Sequence, residues 1–352
     1  MRHMNKTIQR ISPVKAVWLN KAQERLDKLT KPLGSLGQLE ELAKQLVAIT
    51  EKEKPVLHHK IIFTFIADHG VAEEGISAYP QIVTAQMAAN FLNKGAAVNV
   101  LADHAGARLV AADLGVAVDL PPHPKLISKK IAYGTKNMMR ETAMTRTEAI
   151  ESIETGIEIF QQEFKKGIDI AGIGEMGIGN TTASSAITAV ITKQAVEAIT
   201  GRGTGINDKI LERKIRIIKE SLTRHLIDPT DPVDILSKVG GFEIGGMTGV
   251  MLAAASKKIP IMLDGFISGA SALLAVLFEP NVRDYLIASH RSQEKGHAVI
   301  LDHLGLRPLL DLNLRLGEGT GSALAMNLAD ASVKILTHMA TFESAGVSEK
   351  TT

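Results

Sequence analysis

Apolar residues fall at helical spacing along the first 55 positions. Trp18, Leu19, Ala22, Leu26 and Leu29 recur every three or four residues, as do Leu39, Leu42, Leu46 and Ile49, which predicts two helices separated by the break KPLGSLG, 31–37. The pattern then changes. Residues 60–67, KIIFTFIA, form an apolar run rich in Ile and Phe that ends in Asp68-His69-Gly70, the signature of a buried strand. Runs of the same kind recur at 109–112 before Asp113, at 168–173 before Gly174 and Glu175, at 259–263 before Asp264, and at 285–288 before Ser289 and His290. Helix-like segments separate or follow them, near 83–103, 182–199, 207–225, 246–257 and 265–278. Strands that are apolar on both faces must be covered on both faces, so this alternation predicts an α/β fold with a mostly parallel sheet between helical layers. A further helix is expected at 323–336, and the small, polar tail 340–352 is expected to fray.

In parallel sheets of this kind, ligands bind outside the carboxyl ends of the strands. That rule gives Asp68, His69, Asp113, Glu175, Asp264, Ser289 and His290 a common destination. Each alone reads equally well as a turn or cap residue, and only the set points to a crevice. The richest stretch is AGIGEMGIGNTTASS, 171–185, which follows one apolar run and opens another. Gly172, Gly174, Gly177 and Gly179 allow tight turning and close approach, while Asn180, Thr181 and Thr182 add donors near free helix N–H groups. An anion suits such a loop. It contains no Lys or Arg and so differs from a nucleotide P-loop, and Glu175 would repel a polyphosphate. A monophosphate held by backbone N–H groups is the better reading, and a bulky residue at 177 is expected to cost binding rather than folding. Gly172, Gly174 and Gly177 also fit a dinucleotide fingerprint, but Glu197, at the distance of its ribose-binding acid, lies in a helix-like stretch.

Two other glycine clusters stand out. GRGTG, 201–205, is either a helix stop or a second wall of the same site, and GGFEIGGMTG, 240–249, reads as a close-packed turn into a helix. In RLGEGTGS, 315–322, glycines surround Glu318 at an expected helix start, where a carboxylate either caps the helix or serves as a base.

Composition narrows the chemistry. A length of 352 residues with 45% hydrophobic content allows a large core and a smaller subdomain. A net charge of +2, without a long basic run, offers no footprint for nucleic acid or an anionic membrane. Zero cysteines exclude disulfides, thiolate metal sites and a cysteine nucleophile. The opening MRHMNKTIQR lacks the apolar core of a signal peptide, so a cytoplasmic location is expected, and the nearly uncharged 265–278 is short of the ~20 residues of a membrane span. Asp68, His69, His290 and His297 are metal-ligand types, but they lack a tight spacing such as H-E-x-x-H, so neither a metal nor a cofactor is expected.

Together these motifs resemble the nicotinate-nucleotide:dimethylbenzimidazole phosphoribosyltransferase family, which makes the lower-ligand nucleotide of cobalamin. The resemblance runs from KPLGSLGQLEELA through ADHGVAEEGISAYP, GEMGIGNTT, GRGTG, VGGFEIGGMTG, DGFISGASAL and SHRSQEKGH to LGEGTGSALAM. It implies a Rossmann-like sheet and a homodimer, with helical parts at 1–58 and 323–352 forming a small domain beside a large one at 59–322. It implies a catalytic base at Glu318 and a second carboxylate at Glu175. Gly174, Met176, Gly177, Ile178, Gly179, Asn180, Thr181 and Thr182 would form the phosphate loop, bordered by Gly201, Gly203 and Gly205. Tyr79, Met87, Met176 and Leu316 would reach the aromatic base, and Asp264, Ser289 and His290 join the expected substrate site. The implied partners are nicotinate mononucleotide and an aromatic base, with no nucleic acid and no membrane. A nicotinamide-dinucleotide oxidoreductase and a non-catalytic pyridine-nucleotide sensor are the alternatives.

Overall fold

The computed structural model describes residues 2–348. Three helices, α1 (Arg2–Ile8), α2 (Ala16–Asp27) and α3 (Gln38–Thr50), lead into strand β1 (Lys60–Ala67), which is buried from end to end. Alternation along β1 divides the core in two. Ile61, Phe63 and Phe65 face one hydrophobic cluster, while Ile62 and Ile66 face another on the opposite side of the sheet. Thr64, the one polar residue of IIFTFIA, points to the second side, where it has a specific partner described below.

The other strands are β2 (Ala107–Gly115), β3 (Leu126–Ser128), β4 (Ile170–Met176), β5 (Ile261–Leu263) and β6 (Leu286–Ala288). Their order is β3-β2-β1-β4-β5-β6, and every pairing is parallel. This is the Rossmann order, with its reversal between β1 and β4, so the expected architecture is the observed one. β3 escapes the hydrophobic pattern because it is a three-residue edge strand that is only partly buried.

The remaining helices are α4 (Val83–Leu92), α5 (Ala97–Ala105), α6 (Arg146–Phe164), α7 (Asn180–Thr192), α8 (Val196–Ile199), α9 (Asp208–Arg224), α10 (Pro232–Val239), α11 (Phe242–Ala255), α12 (Phe266–Phe278), α13 (Lys295–Leu304), α14 (Thr320–His338) and α15 (Phe342–Ala345). The expected helix at 83–103 is two. Asn99 splices the break, accepting from Ala96 N at 3.1 Å and donating to Phe91 O at 3.0 Å. Helix α6 opens with a Thr145–Glu148 capping box and buries Ala149, Ile153, Ile157 and Phe160 along one stripe. The GGFEIGGMTG stretch is more than a turn, since α11 starts at Phe242 and is buried along its whole length against the sheet and α6.

A third, small cluster joins Ala22, Leu26 and Leu29 to Ala43, Val47 and Leu336, so the end of α14 packs with α2 and α3. Helix α1 lies instead against α6 and α11. The segment after α14 does not fray at its start. Thr30 N donates to Ala340 O and Phe342 N to Lys28 O, both at 3.0 Å, while Arg25 caps the carbonyls of Leu336 and Met339. The last part of the expected tail, 349–352, lies outside the described residues. No helix among the described residues is long and apolar enough to cross a membrane.

Candidate active site

The carboxyl ends of β1, β4, β5 and β6 gather beside the turn before α14, and the two candidate carboxylates meet there. Glu318 has left-handed backbone, φ 65°, and Gly317 and Gly319 beside it are left-handed as well. The turn seats directly on β4. A Cβ at Gly174 would lie 2.1 Å from Glu318 O, so only glycine admits the contact, and Thr64 Oγ1 donates to that same carbonyl at 2.9 Å. The one polar residue inside the apolar run of β1 therefore anchors the turn that carries Glu318.

Glu318 is buried, and its Oε2 accepts from Val98 N at the start of α5 at 3.4 Å. Burial pushes its carboxyl up to about 7, against the Val98 N–H, and the charge of Asp264 adds to the rise. Glu175, near the end of β4, is buried as well and accepts from Asn180 Nδ2. Burial, followed by the charges of Glu243, Asp264 and Glu318, pushes it up to about 8 against the Asn180 hydrogen bond. Its Oε1 packs over Gly317, where a Cβ would come within 2.4 Å. Both neighbouring carboxyls thus hold their protons more tightly than an ordinary glutamate, and the charge of each opposes ionisation of the other, an arrangement in which one can be ionised while its neighbour stays neutral.

The glycine loop divides into close-packed positions and a polar end at the start of α7. Gly177 lies against the end of β1, and a Cβ there would be 2.2 Å from Ala67 O. This corrects the expectation that a bulky residue would spare folding: Gly177→Val is expected to cost about 1–3 kcal/mol or more of stability through overpacking. Thermal melts check it, and an unchanged Tm would refute the close contact. Ile178 N donates to Thr84 Oγ1 at 3.1 Å, and Gly179, φ 102°, is the N-cap of α7. Thr181 Oγ1 accepts from Lys214 Nζ at 2.8 Å. Gly203 closes over both groups, since a Cβ there would sit 3.0 Å from Thr181 Oγ1 and 3.5 Å from Lys214 Nζ. Arg315 Nη1 donates to Gly203 O at 3.4 Å, and Gly201 packs on the buried carboxylate of Glu294.

Lys214 is the residue that sequence reasoning missed. The loop has no cation of its own, and the fold brings one from α9. The ammonium is buried, and its loss of hydration lowers its pKa to about 8 despite the opposing charge of Glu294. A signal was present in the sequence, because Lys214 interrupts the apolar stripe Ile210, Leu211, Ile217, Ile218 of an amphipathic helix.

The other strand-end residues divide by role. Asp264 Oδ2 accepts from Gly319 N at 3.0 Å and Oδ1 from Gly321 N at 2.6 Å, while Ser289 Oγ donates to Asp264 O at 3.2 Å. His290 Nε2 stands 3.6 Å from Asp264 Oδ1. His69 Nε2 lies 2.7 Å from Glu243 Oε1, both buried beneath the glycine loop, and Asp68 Oδ2 accepts from Ala117 N at 2.8 Å. Asp113 closes its own turn, accepting from Gly115 and Val116 amides and pairing with Lys130 at 2.9 Å. Met87 and Met176 are half-buried against the β1 core, whereas Tyr79 and Leu316 are exposed. The segment before Tyr79 leans on the second glycine loop, with Ala78 N donating to Thr204 Oγ1 at 3.0 Å, and Gly205 follows with φ 96°. Among the described residues no three His, Asp or Glu side chains group as metal ligands would. Glu197 sits on α8 and pairs with Lys219, which leaves a dinucleotide ribose without its strand-end acid.

Comparison with known proteins agrees with this geometry. A phosphoribosyltransferase family model matches residues 11–347. The chain belongs to that family. It is 52% identical over 344 residues to the nicotinate-nucleotide:dimethylbenzimidazole phosphoribosyltransferase of Chloroflexus aurantiacus, covering 98% of each chain. It is 54% identical over 346 residues to the enzyme of that name from Desulforudis audaxviator, again over 98% of both. The crystal structure of CobT from Thermus thermophilus superposes with a TM-score of 0.92 at 44% identity, covering 95% of this chain and 100% of that one.

Proposed function

We propose that the protein transfers the 5-phosphoribosyl group of nicotinate mononucleotide to 5,6-dimethylbenzimidazole or a related aromatic base, giving α-ribazole 5'-phosphate and nicotinate in cobalamin nucleotide-loop assembly. The observation that carries the reading is the buried Glu318 carboxyl beside Glu175, on a turn held against the ends of β1 and β4 by Thr64 and Gly174. Relatives at 52–54% identity over nearly the whole chain carry the name of this activity.

The chemistry needs one base. In the donor nucleotide the glycosidic nitrogen is a pyridinium, so as the bond to the anomeric carbon breaks, its electron pair returns to nitrogen and that nitrogen leaves neutral. A benzimidazole ring nitrogen forms the new bond from the opposite face, inverting β to α, and Glu318 accepts the proton of the other ring nitrogen. Glu175, in its neutral form, can hydrogen-bond a ligand without opposing its phosphate. The phosphate is assigned to the N-terminus of α7 with Thr181, Gly203 and Lys214, and the base to the rim of Tyr79, Met87, Met176 and Leu316. Alignment of the two substrates supplies much of the rate. The same reading gives a cytoplasmic homodimer whose small helical domain consists of α2, α3 and the end of α14, with α1 belonging to the large one.

Incubation with nicotinate mononucleotide and dimethylbenzimidazole, followed by chromatography, should yield equal amounts of nicotinate and the α-riboside phosphate. Binding without nicotinate release would refute the reading. Activity should also survive exhaustive chelation, because a neutral pyridine leaves instead of a diphosphate that magnesium would shield. Loss of turnover with chelator, restored by one divalent ion, would overturn that expectation.

A further inference from the structure

The carboxylate of Asp264, at the end of β5, bonds the backbone amides of Gly319 and Gly321, the residues that immediately follow Glu318 and begin α14. Left-handed backbone is unfavourable for a residue with a side chain, yet Glu318 adopts it and Gly319 continues it. The turn therefore has to be held. Thr64 holds the Glu318 carbonyl, bare Gly174 lies beneath it, and Asp264 holds the amides on the far side. His290 stands behind Asp264, and its ring fills the space at Gly321, where a Cβ would lie 2.1 Å from His290 Cδ2. We propose that Asp264, backed by His290, is a positioning residue for the proton transfer: it fixes the turn that aims Glu318 and places a negative charge beside it. The proposal rests on Glu318 being the base.

Helix capping alone would explain two hydrogen bonds to the start of α14, but it would not tie the ionisation of Glu318 to this pair. The charged groups facing Glu318 are Asp264 from β5 and Glu175 from β4, with His290 acting through Asp264, while α5 contributes the Val98 N–H. Burial pulls the His290 imidazole down, and its interaction with the Asp264 carboxylate 3.6 Å away overcomes that, leaving it raised. The imidazole thus holds its proton more tightly than a free histidine would, and His290 offsets part of the carboxylate's charge.

Asp264→Asn and His290→Gln, compared with the parent, test the proposal. The readouts are kcat and KM for nicotinate mononucleotide, the acid limb of kcat against pH, and the infrared carboxyl band that Glu318→Gln removes. Turnover requires ionised Glu318, so it is lost as pH falls through that group's pKa. Removing the Asp264 charge should move the limb and the band to lower pH and reduce kcat by about 10- to 100-fold through misplacement, with KM little changed. Removing the His290 imidazole leaves the Asp264 charge less compensated and should move both to higher pH. Limb and band left at parent positions in both variants, or moved in the same direction in both, would overturn the proposal. If Asp264→Asn does not fold, His290→Gln decides alone: displacement to higher pH supports the proposal and no displacement refutes it. The infrared titration needs no turnover, so failure of the assigned reaction in the parent is distinguishable from failure of this inference.

Discussion

Glu318→Gln should lower turnover by roughly 10²- to 10⁴-fold, the usual worth of a general base, while affinity for nicotinate mononucleotide changes far less. Gln keeps the size of the side chain and can still accept from Val98 N, and it enters the left-handed turn on the same terms as Glu. What it loses is the ability to take a proton. If Glu318 only capped α14, the same change would cost about 1 kcal/mol or less and leave turnover near normal, so the two roles are far apart in the measurement. Rapid-quench assays of nicotinate release, with calorimetry of nucleotide binding, separate them.

The pH profile adds a second check. With the Glu318 carboxyl raised to about 7, the parent should lose activity as pH falls through neutrality rather than through the ordinary carboxylate range. Glu175, raised to about 8, can accept part of the proton flux once Glu318 is gone. Residual turnover in the single variant should then be abolished in Glu175→Gln with Glu318→Gln. A double variant that turns over at close to the parent rate would mean that neither carboxylate is the base.

Much of the fold is written in local pattern. KIIFTFIA and its counterparts are apolar on both faces, and a chain that alternates such runs with helices has little choice but a covered parallel sheet. The strand ends are legible for the same reason, because the polar residue that stops an apolar run also marks the carboxyl edge. What the sequence could not separate is a polar group facing a ligand from one facing its own backbone. Asp113 and Asp264 both follow apolar runs, yet Asp113 closes its own turn and Asp264 bonds the turn of Glu318, 54 residues further on in the chain. Gly174 and Gly177 look like ligand-approach glycines in the motif, but their missing side chains make room for Glu318 O and Ala67 O. Those distinctions depend on contacts distant in sequence. Helix α6 is hidden for a different reason, since glutamates interleave with its apolar stripe and no continuous apolar run marks its place.

Lys214 carries the other large expectation. The cradle, which the sequence alone presents as backbone N–H groups with neutral side-chain donors, contains a buried ammonium, 2.8 Å from Thr181 Oγ1 and roofed by Gly203. A hydrogen bond to a charged partner is worth about 1.5–3 kcal/mol, so Lys214→Met, which keeps the length of the stem, should weaken nicotinate mononucleotide binding by about 10- to 100-fold. Stability should move little because two effects oppose. The mutation relieves the desolvation that lowers this ammonium to about 8, and it takes a cation away from the buried Glu294. The parent protein should show the same dependence without mutation. As pH rises through about 8 the ammonium loses its proton, so affinity for the nucleotide falls on the alkaline side, whereas Glu318 controls the acid side of turnover. In Lys214→Met the alkaline fall in affinity should vanish and the acid limb of turnover remain. Calorimetry across pH would expose a purely structural lysine, for then the variant would bind normally and melt early.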